Sequence, residues 1–165
     1  MKRFVSKIPY LAIFIVGIIL DYIVKHIVRT NMKIGDTIQL IRGVFDITYT
    51  ENTGAAFSML SDKTTLLSVV TVAVVGLLLF LLLSDKIRGK FACVLVALIA
   101  SGGTGNLIDR IAHGFVVDYI HVLFFDYVFN FADCCITVGA VLFVIHVLFF
   151  TREGKETLPT EPESK

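Results

Sequence analysis

The sequence predicts an α-helical membrane protein with four transmembrane helices, and three observations carry that reading. Of 165 residues, 56% are hydrophobic, 14 of them Phe, and the mean hydropathy is +0.82, whereas soluble domains hold roughly 45–50% apolar residues. Four stretches approach the about 20 apolar residues that a helix needs to cross roughly 30 Å of hydrocarbon. Lys and Arg gather at alternate ends of those stretches, as expected where short cytoplasmic loops retain positive charge. A formal net charge of +1 supplies no basic face for phosphates, so nucleic-acid binding is excluded.

The first span is expected near 8–28, after Lys2, Arg3 and Lys7. No small-x-small site precedes Asp21, and apolar residues resume at Tyr22, so the segment reads as an uncleaved span rather than a signal peptide. Spans near 64–84 and 91–108 flank a tight turn containing Lys86, Arg88 and Lys90, and a fourth near 134–151 precedes Arg152 and Lys155. Both termini are therefore expected in the cytoplasm, with the longer loops, near 29–63 and 109–133, on the outer side. Residues 1–152 read as one membrane-embedded domain, and the charged, proline-containing tail 153–165 as disordered. In the first outer loop IQLIRGVFDITYT alternates apolar residues around an Arg-Gly turn, which predicts a hairpin or small sheet at the membrane surface.

Ionisable groups in or beside spans are costly and point to function. Asp21 and Lys25 stand one helical turn apart and can neutralise each other. NTGAAF, residues 52–57, places Asn52 beside Gly54, Ala55 and Ala56, which suits either close approach of another backbone or a turn into a short amphipathic helix. SGGTGNLIDR, residues 101–110, combines helix-packing glycines with Asn106 and Asp109 three apart on one face. At 1.5 Å per residue, Asn106 lies about 24 Å from Lys90, just inside the outer boundary, with Asp109 and Arg110 at the interface. Arg110 suits snorkelling to lipid phosphate as well as a packed polar role.

VVDYI sets Asp118 in an apolar patch, and FNFAD sets Asn130 and Asp133 three apart before the last span. Asp133 suits an N-cap, but Asp118, flanked by Val117 and Tyr119, has no such structural role. Two carboxylates at one depth in a partly dry site share a proton, which supplies an acid and a base together. That chemistry fits aspartic peptide hydrolysis, without metal, cofactor or covalent nucleophile. Cys93, Cys134 and Cys135 form no CxxC. Adjacent cysteines lie about 3.8 Å apart at Cα, below the usual disulfide range of roughly 4.4–6.8 Å. A thiol oxidoreductase is disfavoured accordingly. A proton-coupled transporter or channel is the alternative, although no inverted repeat is visible and the polar residues gather toward one face.

The ordered series DYIVK, ENTGAAF, GNLIDR, VVDYI and FNFAD, spread across about residues 10–150, resembles the lipoprotein signal peptidase (signal peptidase II) family. The resemblance implies a bacterial aspartic endopeptidase of the cytoplasmic membrane. Its four membrane helices would carry an extracytoplasmic β-cradle and a short outer helix, with the active site near the outer face. It implies Asp118 and Asp133 as the catalytic pair, and Asp21, Asn52, Asn106, Asp109, Arg110 and Asn130 as positions of the family's motifs; Lys25 and Gly54 belong to the same stretches. It further implies a diacylglyceryl-modified prolipoprotein as substrate, cut before the lipid-bearing lipobox cysteine, membrane lipid as partner, and inhibition by globomycin-type cyclic peptides. The chain is read as a monomer. Tyr22, Val24, Cys134 and Cys135 depart from the residues common in the family at those positions.

Overall fold

The computed structural model describes residues 6–54, 63–87 and 89–150. Its elements are α1 (Ile8–Asn31), β1 (Thr37–Ile41), β2 (Phe45–Asn52), α2 (Lys63–Leu83), α3 (Lys90–His113), β3 (Val116–Val122), β4 (Val128–Phe129) and α4 (Phe131–Phe150). All four helices are long and apolar enough to cross a membrane. Lys2, Arg3, Arg88, Arg152, Lys155, the tail 153–165, Ala55, Ala56 and the expected short outer helix lie outside the described residues.

Local residues set the start of the first helix and the end of the third. Pro9 opens α1, where a missing N–H costs nothing. Gly114 closes α3 in the left-handed conformation, its N–H donating to the Arg110 carbonyl. That helix continues five residues beyond the expected end, so Asp109 and Arg110 are helical rather than part of an outer loop. The fourth helix starts three residues early, which brings Asp133 into its first turn. Sliding-window apolarity misses such polar ends because they are satisfied by neighbouring protein rather than by lipid.

α3 is the central helix and packs against the other three. Small residues make this possible: a Cβ on Gly105 would collide with Asp21 Oδ2, and one on Gly102 with the Ala132 carbonyl oxygen. One buried cluster, Leu82, Cys93, Val96 and Ala97, fills the end of the bundle near the α2–α3 turn. At that end Lys7 pairs with Asp85 at 2.7 Å.

The opposite end carries one antiparallel sheet of four strands in the order β1-β2-β3-β4. The expected hairpin is therefore only half of it. VVDYI is a strand, whose pattern was obscured because its first four residues are all buried rather than alternating with exposed ones. Val117 and Tyr119 face a second cluster with Val28 and Tyr49, and strand alternation turns Asp118 to the other face. Thr50 pairs with Asp118 and Asn52 with Val116, after an irregularity between Ile47 and Thr50.

Candidate active site

Ten polar or small residues singled out in the sequence converge where α1, α3, β2, β3 and α4 meet. The base is a buried charge cluster. Lys25 pairs with Asp21 Oδ2 at 2.8 Å and with Asp109 Oδ2 at 3.2 Å, and donates to Asn106 Oδ1 at 2.8 Å. The ammonium thus sits between two carboxylates and one amide oxygen, which is what makes charge tolerable where Asp21, Lys25 and Asp109 are all at most 5% exposed. Both carboxylates also hold backbone. Asp109 Oδ2 accepts from Val117 N–H at 3.0 Å, fixing the start of β3, and Asp21 Oδ1 accepts from Ala132 N–H at 3.0 Å, fixing the start of α4.

Above this base stand Asp118 and Asp133. Asp118 is 2% exposed; its Oδ2 accepts from Asn52 Nδ2 at 2.9 Å and its Oδ1 from Asn130 Nδ2 at 2.6 Å. Burial drives its pKa up to about 6, and the negative charge of Asp133 pushes the same way, against the lowering effect of the two amide donors. Asp133 Oδ1 accepts from Asn106 Nδ2 at 2.7 Å, and Oδ2 from Asn130 N–H at 3.1 Å.

Asn130 is the hub. Fully buried, it donates its side-chain amide to Asp118 and to Asn106 Oδ1, and its Oδ1 accepts from Asp133 N–H at 3.0 Å. Asn130 and Asp133 therefore form a reciprocal capping box on α4. Of the two roles open to Asp133 in the sequence, the N-cap falls to its neighbour: Asn130 caps, and Asp133 occupies the third helical position. The three asparagines use their amides as donors that orient the carboxylates, so both acids share one hydrogen-bonded frame. On the other side of Asn52, Oδ1 accepts from Gly54 N–H at 2.8 Å, and Gly54, at φ +77°, supplies the left-handed turn that this closure needs.

A cleft of about 300 Å3 opens beside Asp133. Val70, Val74 and Leu78 of α2 and Ile136 of α4 form apolar walls, and Asn106, Arg110 and Asp133 form its polar end. Arg110 thus faces the carboxylate site, where snorkelling to phosphate alone would not put it. A second cleft, of about 360 Å3, reaches Asp133 from the side of Phe129, Cys134 and Thr137. All three cysteines are free. Among the described residues no three His, Cys, Asp or Glu side chains are grouped as a metal site.

Tyr119, in sequence only a neighbour of Asp118, has a role that its apolar setting does not announce. Its hydroxyl accepts from Phe131 N–H at 3.3 Å, so the first turn of α4 is held by Tyr119, Asp21 and Asn130 together. Burial raises its phenol well above the ordinary range, which keeps it neutral. The alternation of Val117 and Tyr119 around Asp118 was the available signal that these side chains face a core.

A family model described as signal peptidase (SPase) II, peptidase A8, matches residues 13–149. Lipoprotein signal peptidases of Staphylococcus aureus strains JH9 and Newman are each 37% identical over 158 residues, covering 94% of this chain and 96% of theirs. Two solved structures, described as a bacterial membrane enzyme determined by the in meso method at 2.3 and 1.9 Å resolution, are each 34% identical. They superpose with TM-scores of 0.81 and 0.80, over 92% and 86% of this chain and 94% of each structure. Spanned almost end to end by that model and these relatives, this multi-pass membrane protein belongs to the signal peptidase II family.

Proposed function

We propose that this chain is an aspartic endopeptidase that removes the signal peptide from prolipoproteins, cutting before the diacylglyceryl-bearing cysteine, with Asp118 and Asp133 as the catalytic pair. The observation that carries the reading is that Asn130 donates to Asp118 through its side-chain amide and to Asp133 through its backbone N–H, while Asp133 lies with Asn106 and Arg110 at the polar end of an apolar cleft. A doubly ionised pair is disfavoured there, and burial together with the Asp133 charge favours placing the shared proton on Asp118, the more buried acid. Asp133 then accepts a proton from water as its oxygen adds to the scissile carbonyl carbon, while Asp118 gives its proton to the carbonyl oxygen. The tetrahedral intermediate collapses with a proton delivered to the departing amine.

Arg110, at the polar end of the cleft, is suited to neutralise peptide carbonyl charge as it develops. Asp21, Lys25, Asn52, Gly54, Asn106, Asp109 and Asn130 are positioning residues. The peptidase unit is one membrane-embedded domain, working as a monomer amid membrane lipid, and a globomycin-type cyclic peptide would compete for the cleft. Lys7, Lys86 and Lys90 cluster near the α2–α3 turn, supporting cytoplasmic termini and an extracytoplasmic carboxylate site in a bacterial cytoplasmic membrane.

The test is cleavage of a diacylglyceryl-modified precursor by purified Asp118→Asn and Asp133→Asn. Each substitution preserves shape and should lower kcat by at least about 100-fold, the usual share of acid–base catalysis. Wild-type turnover by either variant would remove the pair from the mechanism.

A further inference from the structure

The β3–β4 turn, Leu123–Tyr127, displays aromatic side chains for which the protein provides no core. Phe124 is 72% exposed, Phe125 56% and Tyr127 75%. Phe124 and Phe125 rest on each other, ring centroids 4.8 Å apart. The backbone beneath them is well tied: Phe125 N–H donates to the Val122 carbonyl at 2.8 Å, and Leu123 N–H to the Val44 carbonyl at 3.0 Å. Such a turn is a fixed presentation of apolar rings.

Its position relative to the bilayer follows from the chain. Tyr127 precedes the first residue of α4 by four positions, so at about 3.3 Å per residue it lies within about 13 Å of the point where that helix begins. The polar zone outside the hydrocarbon is roughly 5–8 Å deep on each side, and aromatic side chains concentrate there. Phe129, two residues beyond Tyr127, lines the cleft that reaches Asp133.

We propose that Phe124, Phe125 and Tyr127 form a lipid-inserting wedge, seated in the headgroup zone of the leaflet on the carboxylate side. Lipid is its occupant. Ile120 pairs with Phe129 and His121 with Val128, so the turn is one piece with the strand of Asp118 and the start of α4. Seating it sets the depth of the carboxylates against the lipid–water boundary, where a lipid-tethered substrate must present its bond. The seating rests on the membrane architecture; its consequence for substrate rests also on the peptidase reading.

The chain contains no Trp, so Phe124→Trp introduces a single tryptophan, and free N-acetyltryptophanamide beside the wild-type protein serves as the aqueous reference. In phosphatidylglycerol–phosphatidylethanolamine vesicles, the tryptophan at 124 should emit to the blue of that reference and be quenched several-fold more by lipids brominated high on the acyl chain. Water-like emission at 124, or quenching no greater than that of the reference, overturns the wedge without touching the peptidase reading. The triple variant Phe124→Ser, Phe125→Ser, Tyr127→Ser should raise KM for lipid-modified precursor in vesicles about fivefold, with kcat within about twofold of wild type, and match wild type in detergent micelles. An unchanged KM in vesicles, or equal loss in micelles, overturns the depth-setting role. If the triple variant does not fold, the tryptophan measurement still decides the seating.

Discussion

Asp118 is held near pKa 6 by opposing influences: burial and the neighbouring Asp133 charge favour the protonated acid, whereas Asn52 and Asn130 favour the carboxylate. The sign of a change at Asn52 follows. Removing its amide in Asn52→Ala takes away a donor to the charged form and so raises the pKa of Asp118 further. Because kcat/KM reports the free enzyme, its alkaline limb should move to higher pH in this variant, with a lower plateau from poorer positioning. A limb that stays put or moves down would assign that ionisation elsewhere. The sequence made these acids and amides visible as polar residues out of place, and spacing alone paired Asp21 with Lys25 and Asn106 with Asp109. It could not reveal that Asn130 serves both carboxylates, since that depends on a strand and a helix start arriving together. Tyr119 was harder still, because an aromatic residue in an apolar run reads as core until its hydroxyl is seen against Phe131 N–H.

Helix contacts turn on the glycines of α3. A methyl group on Gly102 would press on the Ala132 carbonyl oxygen, backbone that is itself part of the capped start of α4, whereas one on Gly76 of α2 meets nothing within 4 Å. Gly102→Ala should therefore destabilise by roughly 1–3 kcal/mol through overpacking, while Gly76→Ala should stabilise by about 0.5–1 kcal/mol through helix propensity. Thermal unfolding midpoints in one detergent provide the comparison; equal shifts would mean that α3 and α4 can separate to make room. Helix existence was legible from apolar length in all four cases. Boundaries were less so, because the last turn of α3 and the first of α4 are polar and are paid for by Lys25, Asp21 and Tyr119 from other elements. The β1–β2 hairpin showed its alternation in sequence, but β3, buried at its start, did not.

At the scale of the whole molecule, the four-span architecture was readable because a bilayer imposes length and composition on each helix separately. How the sheet and the helices meet was not, since it arises from contacts between elements distant in sequence, such as Asp21 with Ala132 N–H, Asn106 with Asp133 and Tyr119 with Phe131 N–H. Those contacts fasten α4 at one end to three different elements, while Val141, Val144, Val147 and Leu148 along its remainder are exposed, a surface for lipid. Its 20 residues span about 30 Å, close to one bilayer core. A longer or shorter hydrocarbon layer forces such a helix to tilt or the lipid to deform, and a helix clamped at Asn130 and Ala132 transmits any tilt straight to Asp133. Turnover in vesicles of uniform acyl length should peak where thickness matches α4 and fall on both sides; a flat profile would mean that the clamp yields. The capped first turn thus makes the enzyme a gauge of the membrane in which it sits.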